Sequence, residues 1–169
     1  VRSYIDNQYN FVGITMAISE LYKLTEIELT YKSNRSYNER HKVTSAKVAF
    51  DLLLNNWNEN KIELLEQSKI LLLNRSNQVL GISHLSTGGT SGTIVDPKQV
   101  FAVALIANAS GIILAHNHPS GSLCPSDADD KITHKLYKAG KLLDIEVLDH
   151  LIITKEGYYS FAESGRLYL

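Results

Sequence analysis

The chain has 169 residues, 44% hydrophobic and 21% charged, the range of one globular domain that buries its core without staples. Seventeen basic against eighteen acidic residues leave a formal charge of -1, which removes the sequence-independent electrostatic grip of a strong nucleic-acid binder. One cysteine excludes an internal disulfide framework and a multi-cysteine zinc ribbon, and no apolar run approaches the roughly 20 residues of a membrane span. With no signal-peptide pattern at its start, the sequence predicts a reducing, cytoplasmic setting and no membrane partner.

Residues 1–43 read as an N-terminal arm, loosely ordered or swapped, with a short helix over Ile14 to Tyr22 and a polar loop from Tyr31 to His41. From Thr44 the pattern sharpens into a domain spanning 44–169. Thr44 or Ser45 caps a helix whose apolar residues Ala46, Ala49, Phe50, Leu53, Leu54 and Trp57 recur at helical spacing. Lys69 to Asn74 and Val79 to Leu85 are strands joined by the polar turn Arg75 to Gln78. The glycine-rich run Ser86 to Gly92 lacks a phosphate-loop spacing and reads as a turn with positive φ angles. Asp96-Pro97 starts a helix that turns Val100, Phe101, Ala104 and Leu105 inward and stops near Ser110-Gly111.

Ile112 to His116 is a buried strand running into a polar loop. Ser126 caps a helix over Asp127 to Ala139, which ends at Gly140. Ile145 to Thr154 is a further strand, Glu156-Gly157 a turn, and Tyr158 to Phe161 pairs back. Strands and helices interleave, so the predicted fold is mixed α/β, a central sheet flanked by helices.

The chemistry concentrates between residues 116 and 129, where two of the three prolines, Pro119 and Pro125, also fall. Residues two apart on a strand face the same way, so His116 and His118 aim their imidazoles at one point. Asp129, in the first turn of the next helix, supplies a third ligand once the loop folds back. Two histidines and one carboxylate with an open position form the pattern of a catalytic zinc site. Ser126 offers a hydroxyl for a developing oxyanion. The general base must come from elsewhere, and spacing leaves both Glu66 and Glu63 open.

His116-x-His118-Pro119, then Pro125-Ser126-x-x-Asp129, resembles the JAMM (MPN+) metalloprotease motif. The strings His116 to Gly121 (HNHPSG), Ala109 to His116, Leu148 to Ile152 and Ser160 to Glu163 are similar to the RadC branch of that superfamily. The resemblance covers roughly Thr44 to Leu169. It implies the layered MPN/JAB architecture, of cytidine-deaminase-like type, and one Zn²⁺ held by His116, His118 and Asp129. It further implies Glu66 as general base, Ser126 as oxyanion donor, and hydrolysis of a peptide or isopeptide bond in an unidentified peptide or protein.

Other readings stand beside these. Ser126 and Asp129 alone would form a helix capping box. Cys124 is expected to be a partly buried bystander, and His150, next to Asp149, to be a core residue or one behind the ligands. His41, His84 and His134 are read as surface residues. No deaminase spacing, helical His-Glu-x-x-His or nucleophile elbow is present. The alternative function is a DNA-associated module of repair, recombination or mobile elements with a structural or vestigial metal. The net charge does not favour it, although Arg35, Arg40, His41 and Lys42 offer a local basic run. The polar arm is the one hint of a homo-oligomer, by packing on a second copy.

Overall fold

A computed structural model describes residues 36–90 and 92–168. The helices are α1 (Ala46–Asn55), α2 (Pro97–Ile106) and α3 (Asp127–Leu142). The strands are β1 (Gln67–Leu73), β2 (Val79–Thr87), β3 (Gly111–Asn117), β4 (Glu146–Ile153) and β5 (Tyr158–Ser160). They form one mixed sheet in the order β2-β1-β3-β4-β5, antiparallel except for the central pair β3 and β4. A parallel pair needs a crossover, and α3 is that crossover.

Strand alternation divides the core between two faces. Ile70 and Leu72 of β1, Ile112 and Leu114 of β3 and Ile152 of β4 pack with Val100, Phe101 and Ala104 of α2 and Leu136 of α3. Leu71, Leu73, Ile113, Ala115, Leu151 and Ile153 point the other way, against Ala49, Phe50 and Leu53 of α1. The middle strands are covered on both sides, which is why β1 and β3 read as unbroken apolar runs. This is the α/β architecture expected from the interleaved pattern.

Several local expectations are decided or corrected. Ser45, not Thr44, caps α1, its hydroxyl accepting the Val48 N–H. Trp57 is buried although the helix ends at Asn55. β2 runs on to Thr87, into the stretch read as a glycine loop. In that loop Gly88, Gly89 and Gly92 do not take positive φ. Gly88 is needed for space, because a Cβ there would lie 2.0 Å from the Gly92 carbonyl oxygen. Leu105 is 49% exposed, one helical step off the inward stripe of Val100, Phe101 and Ala104. α2 ends at Ile106, and Asn108, with φ 50°, turns the chain into β3.

Gly140 does not stop α3, which continues to Leu142 before Asp144 (φ 54°) reverses the chain. Its role is close approach. A Cβ at Gly140 would sit 2.4 Å from the Ile145 carbonyl oxygen, at the entry to β4.

Residues 36–43, the end of the arm read as loose, are tied to the sheet. Tyr37–Glu39 form a 3-10 turn, Lys42 bridges Gln78, and the Val43 and Val79 N–H groups donate to Asn77 and His41. The Ile14 to Tyr22 helix, the remainder of the arm and Arg35 lie outside the described residues. Among the described residues no helix is long and apolar enough to cross a membrane.

Candidate metal centre

β3 delivers His116 and Asn117 from the middle of the sheet, and the His118 N–H extends the pairing by donating to the Ile153 carbonyl at 3.1 Å. Alternation sets His116 and His118 on the α3 side of the sheet and Asn117 on the other. Beyond them Gly121, at φ 77°, closes a turn by donating to the His118 carbonyl. The turn presents the Ser122 carbonyl 2.8 Å from His118 Nδ1. A carbonyl only accepts, so Nδ1 carries a hydrogen, and in the neutral ring the lone pair is on Nε2 of His118.

Ser126 starts α3, its hydroxyl accepting the Asp129 N–H at 3.2 Å. Asp129 Oδ2 accepts in return from the Ser126 N–H and hydroxyl, each at 2.7 Å. This is a full capping box. The same carboxylate reaches the histidines, with Oδ1 3.1 Å from His116 Nε2 and Oδ2 3.8 Å from His118 Nε2. The capping and the ligand readings of Asp129 are therefore compatible, one residue serving both geometries. Partial burial pushes the Asp129 carboxyl up, but the hydrogen bond and charge of His116 and the Ser126 donors outweigh it. The group is held well below the usual carboxylate range.

His116 Nε2 and His118 Nε2 are 3.0 Å apart. Ligands about 2.0–2.1 Å from a tetrahedral ion stand roughly 3.3 Å from one another; the two histidine nitrogens and the His116–Asp129 pair lie near that spacing, and His118 stands wider, 3.8 Å from Asp129 Oδ2. One nitrogen from each histidine and one carboxylate oxygen, all within 4.8 Å, could hold a metal ion. The donor chemistry fits a divalent first-row metal.

A cleft of about 410 Å³ opens beside this group, lined among others by Glu66, Thr93, His118, Cys124, Ser126 and Asp129. Glu66 precedes β1, and its backbone is hydrogen-bonded to Gly88 and Gly89. Its Oε1 accepts the Thr93 N–H at 3.1 Å. Glu63, the other carboxylate left open by spacing, does not line this cleft and instead pairs with Lys155. Cys124 is exposed rather than partly buried.

Two further residues stand beside the site: Asn117, which the motif reading gave no role, and His150, which lies in the core behind His116 as expected. The Asn117 side chain accepts from the Gln67 N–H at 2.8 Å and donates to the Ile62 and Leu65 carbonyls at 2.6 and 2.9 Å. It holds the segment that carries Glu66 against the end of β3. His150, on β4, is buried with its Nε2 2.8 Å from His116 Nδ1 and its Nδ1 2.5 Å from the Thr133 hydroxyl. Burial, followed by the charge of His116, pushes the His150 pKa well below the ordinary histidine value. Asp149 does not pair with the His150 ring. It faces the other side and accepts from the Ser160 hydroxyl and the His150 and Ala162 N–H groups. Thr133 carried no motif signal beyond standing one helical turn after Asp129.

A mixed sheet with His-x-His leaving a central strand and an aspartate in the first turn of the following helix defines a JAB-type domain with a candidate metal centre. The chain belongs to the RadC-like JAB domain family, which matches residues 43–166. It is 48% identical over 124 residues to a UPF0758 protein of Flavobacterium johnsoniae, covering 73% of this chain and 53% of that protein. A UPF0758 protein of Symbiobacterium thermophilum is 46% identical over 103 residues, 61% of this chain and 44% of the relative. One from Clostridium botulinum is 36% identical over 156 residues, 92% and 66% of the two chains. This chain thus spans about half to two thirds of the length of these curated relatives.

Proposed function

We propose that the chain is a zinc-dependent hydrolase that cleaves a peptide or isopeptide bond with an activated water. The observation that carries this reading is the convergence of His116, His118 and Asp129 at a cleft that also holds Glu66 and Ser126. A zinc ion bound by the first three would supply Lewis-acid polarisation. Glu66 takes the proton of the attacking water and returns it to the leaving nitrogen, the work of a general base then acid. The Thr93 N–H holds one of its oxygens and so orients the carboxylate.

Ser126 donates to the oxygen of the attacked carbonyl. Its hydroxyl hydrogen is directed at Asp129 Oδ2 at rest, so donation to a substrate requires that hydroxyl to rotate. A reducing, cytoplasmic setting suits the exposed free thiol of Cys124 on the cleft wall.

Metal analysis of the purified protein and of His118→Ala tests the centre: one zinc per chain is expected in the first and none in the second. Glu66→Gln should keep the zinc and lose hydrolysis of linear and isopeptide-linked amide probes by at least about 100-fold. Zinc-free wild-type protein, or full turnover by Glu66→Gln, would contradict the proposal. Glu63→Gln serves as the neutral control.

A further inference from the structure

We propose that Thr133 and His150 form a directional hydrogen-bond relay that locks His116 in the tautomer whose Nε2 is unprotonated, making them positioning residues for the candidate metal centre. The direction follows from hydrogen-bond valence. The Thr133 hydroxyl lies 2.5 Å from the Asp129 carbonyl oxygen, which only accepts, so the single hydroxyl hydrogen goes there. Toward His150 the same hydroxyl can then only accept, so His150 Nδ1 carries a hydrogen. Among the described residues no carboxylate is hydrogen-bonded to this ring, and a ring so deeply buried is neutral and has one N–H. Its Nε2 is therefore an acceptor, and His116 Nδ1, 2.8 Å away, must donate to it. With Nδ1 committed in this way, the neutral His116 ring has its lone pair on Nε2, the nitrogen that faces His118 Nε2 and Asp129 Oδ1, and a second proton held there against Asp129 is the one a metal would displace.

The relay begins on the backbone of Asp129 and ends on the ring of His116, so it ties two of the three donors together through the interior. Phe161 stacks on the His150 ring at 4.8 Å and 10°, which holds its plane. The same logic operates outside, where the Ser122 carbonyl leaves the lone pair of the neutral His118 ring on Nε2. Both nitrogens are thus prepared as ligands by hydrogen bonds made on the far side of each ring.

The value of this lock to the centre rests on the metal reading above, but the tautomer itself can be read without metal. Nitrogen-15 correlation spectra of the metal-free protein should show the His116 hydrogen on Nδ1. Thr133→Ser should preserve that signature, and Thr133→Val, close in shape but without the hydroxyl, should weaken it. Zinc affinity, measured by competition with a chromophoric chelator, should fall about 10–100-fold in Thr133→Val and be restored in Thr133→Ser. His150→Gln, which can accept from His116 and donate to Thr133, should stay nearer wild type than His150→Phe. A His116 ring without a hydrogen on Nδ1, or Thr133→Val with unchanged spectrum and affinity, would overturn the relay. Wild-type protein that takes up no zinc yet shows the Nδ1 hydrogen would refute the metal reading and leave the relay standing.

Discussion

Asn117 Oδ1 lies 2.8 Å from the backbone nitrogen of Gln67, the residue that follows Glu66. The side chain between the two histidines thus fixes the strand end that bears the proposed base, from the opposite face of the sheet. Removing it strands one N–H and two carbonyls that it now satisfies. Asn117→Ala should lower stability by about 2–4 kcal/mol. Under conditions where the variant remains folded, zinc content should persist while amide hydrolysis falls at least tenfold. Hydrolysis at the wild-type rate in folded Asn117→Ala would show that Glu66 does not depend on this anchor.

Metal removal should be visible as stability. An ion that binds only the folded chain at 1,000 times its dissociation constant adds about 4 kcal/mol. The thermal midpoint should rise with zinc and fall with a chelator. His118→Ala, which alters a partly exposed residue at the cleft, should show neither shift. A zinc-dependent midpoint in that variant would place the binding elsewhere.

Burial raises the Asp149 carboxyl above its ordinary value, against the pull of the Ser160, Ala162 and His150 donors. The folded chain therefore holds this proton more tightly than the unfolded chain, and ionisation costs stability. That contribution is complete below the ordinary carboxylate pKa of about 4 and is lost as pH rises to the higher folded value. Asp149→Asn keeps the acceptor oxygen for both backbone N–H groups and removes the ionisation. Relative to wild type it should gain stability between pH 4 and pH 7, as followed by urea midpoints. Asp149→Ala, which leaves those donors unmet, should lose about 2–4 kcal/mol.

Gly140→Ala separates helix propensity from packing. In an open helix the change would gain about 1 kcal/mol. Here the added carbon meets the Ile145 carbonyl oxygen at 2.4 Å, backbone that cannot move without shifting the start of β4. A net loss of about 1–3 kcal/mol is expected from chemical denaturation. A gain would mean that the α3–β4 junction relaxes freely.

These cases divide what is local from what is not. His116 and His118 share a face because a strand alternates, and Asp129 follows Ser126 because a capping box has a three-residue spacing. Both rules act within a few residues, so the cluster was legible from residues 116–129. The choice between Glu66 and Glu63 was not, because it turns on where the chain enters β1 relative to a cleft built by β3 and α3. Gly140 misled for a related reason: a glycine at a helix end and a glycine under a crossing backbone look alike in one dimension.

The sequence by itself determined the interleaved α/β order, the largely buried sheet and the grouping of His116, His118 and Asp129 as candidate donors at the exit of β3. Its near-neutral charge, single cysteine and clustered prolines already narrowed the chemistry. Only the tertiary structure decided which carboxylate shares the cleft and which buried groups stand behind the histidines. Thr133 and His150 are 17 residues apart and His150 is 34 from His116. Their hydrogen bonds exist because the α3 crossover lays one helix face over the junction of two parallel strands. Side-chain direction within an element follows from backbone periodicity, whereas contact between elements depends on how whole layers pack.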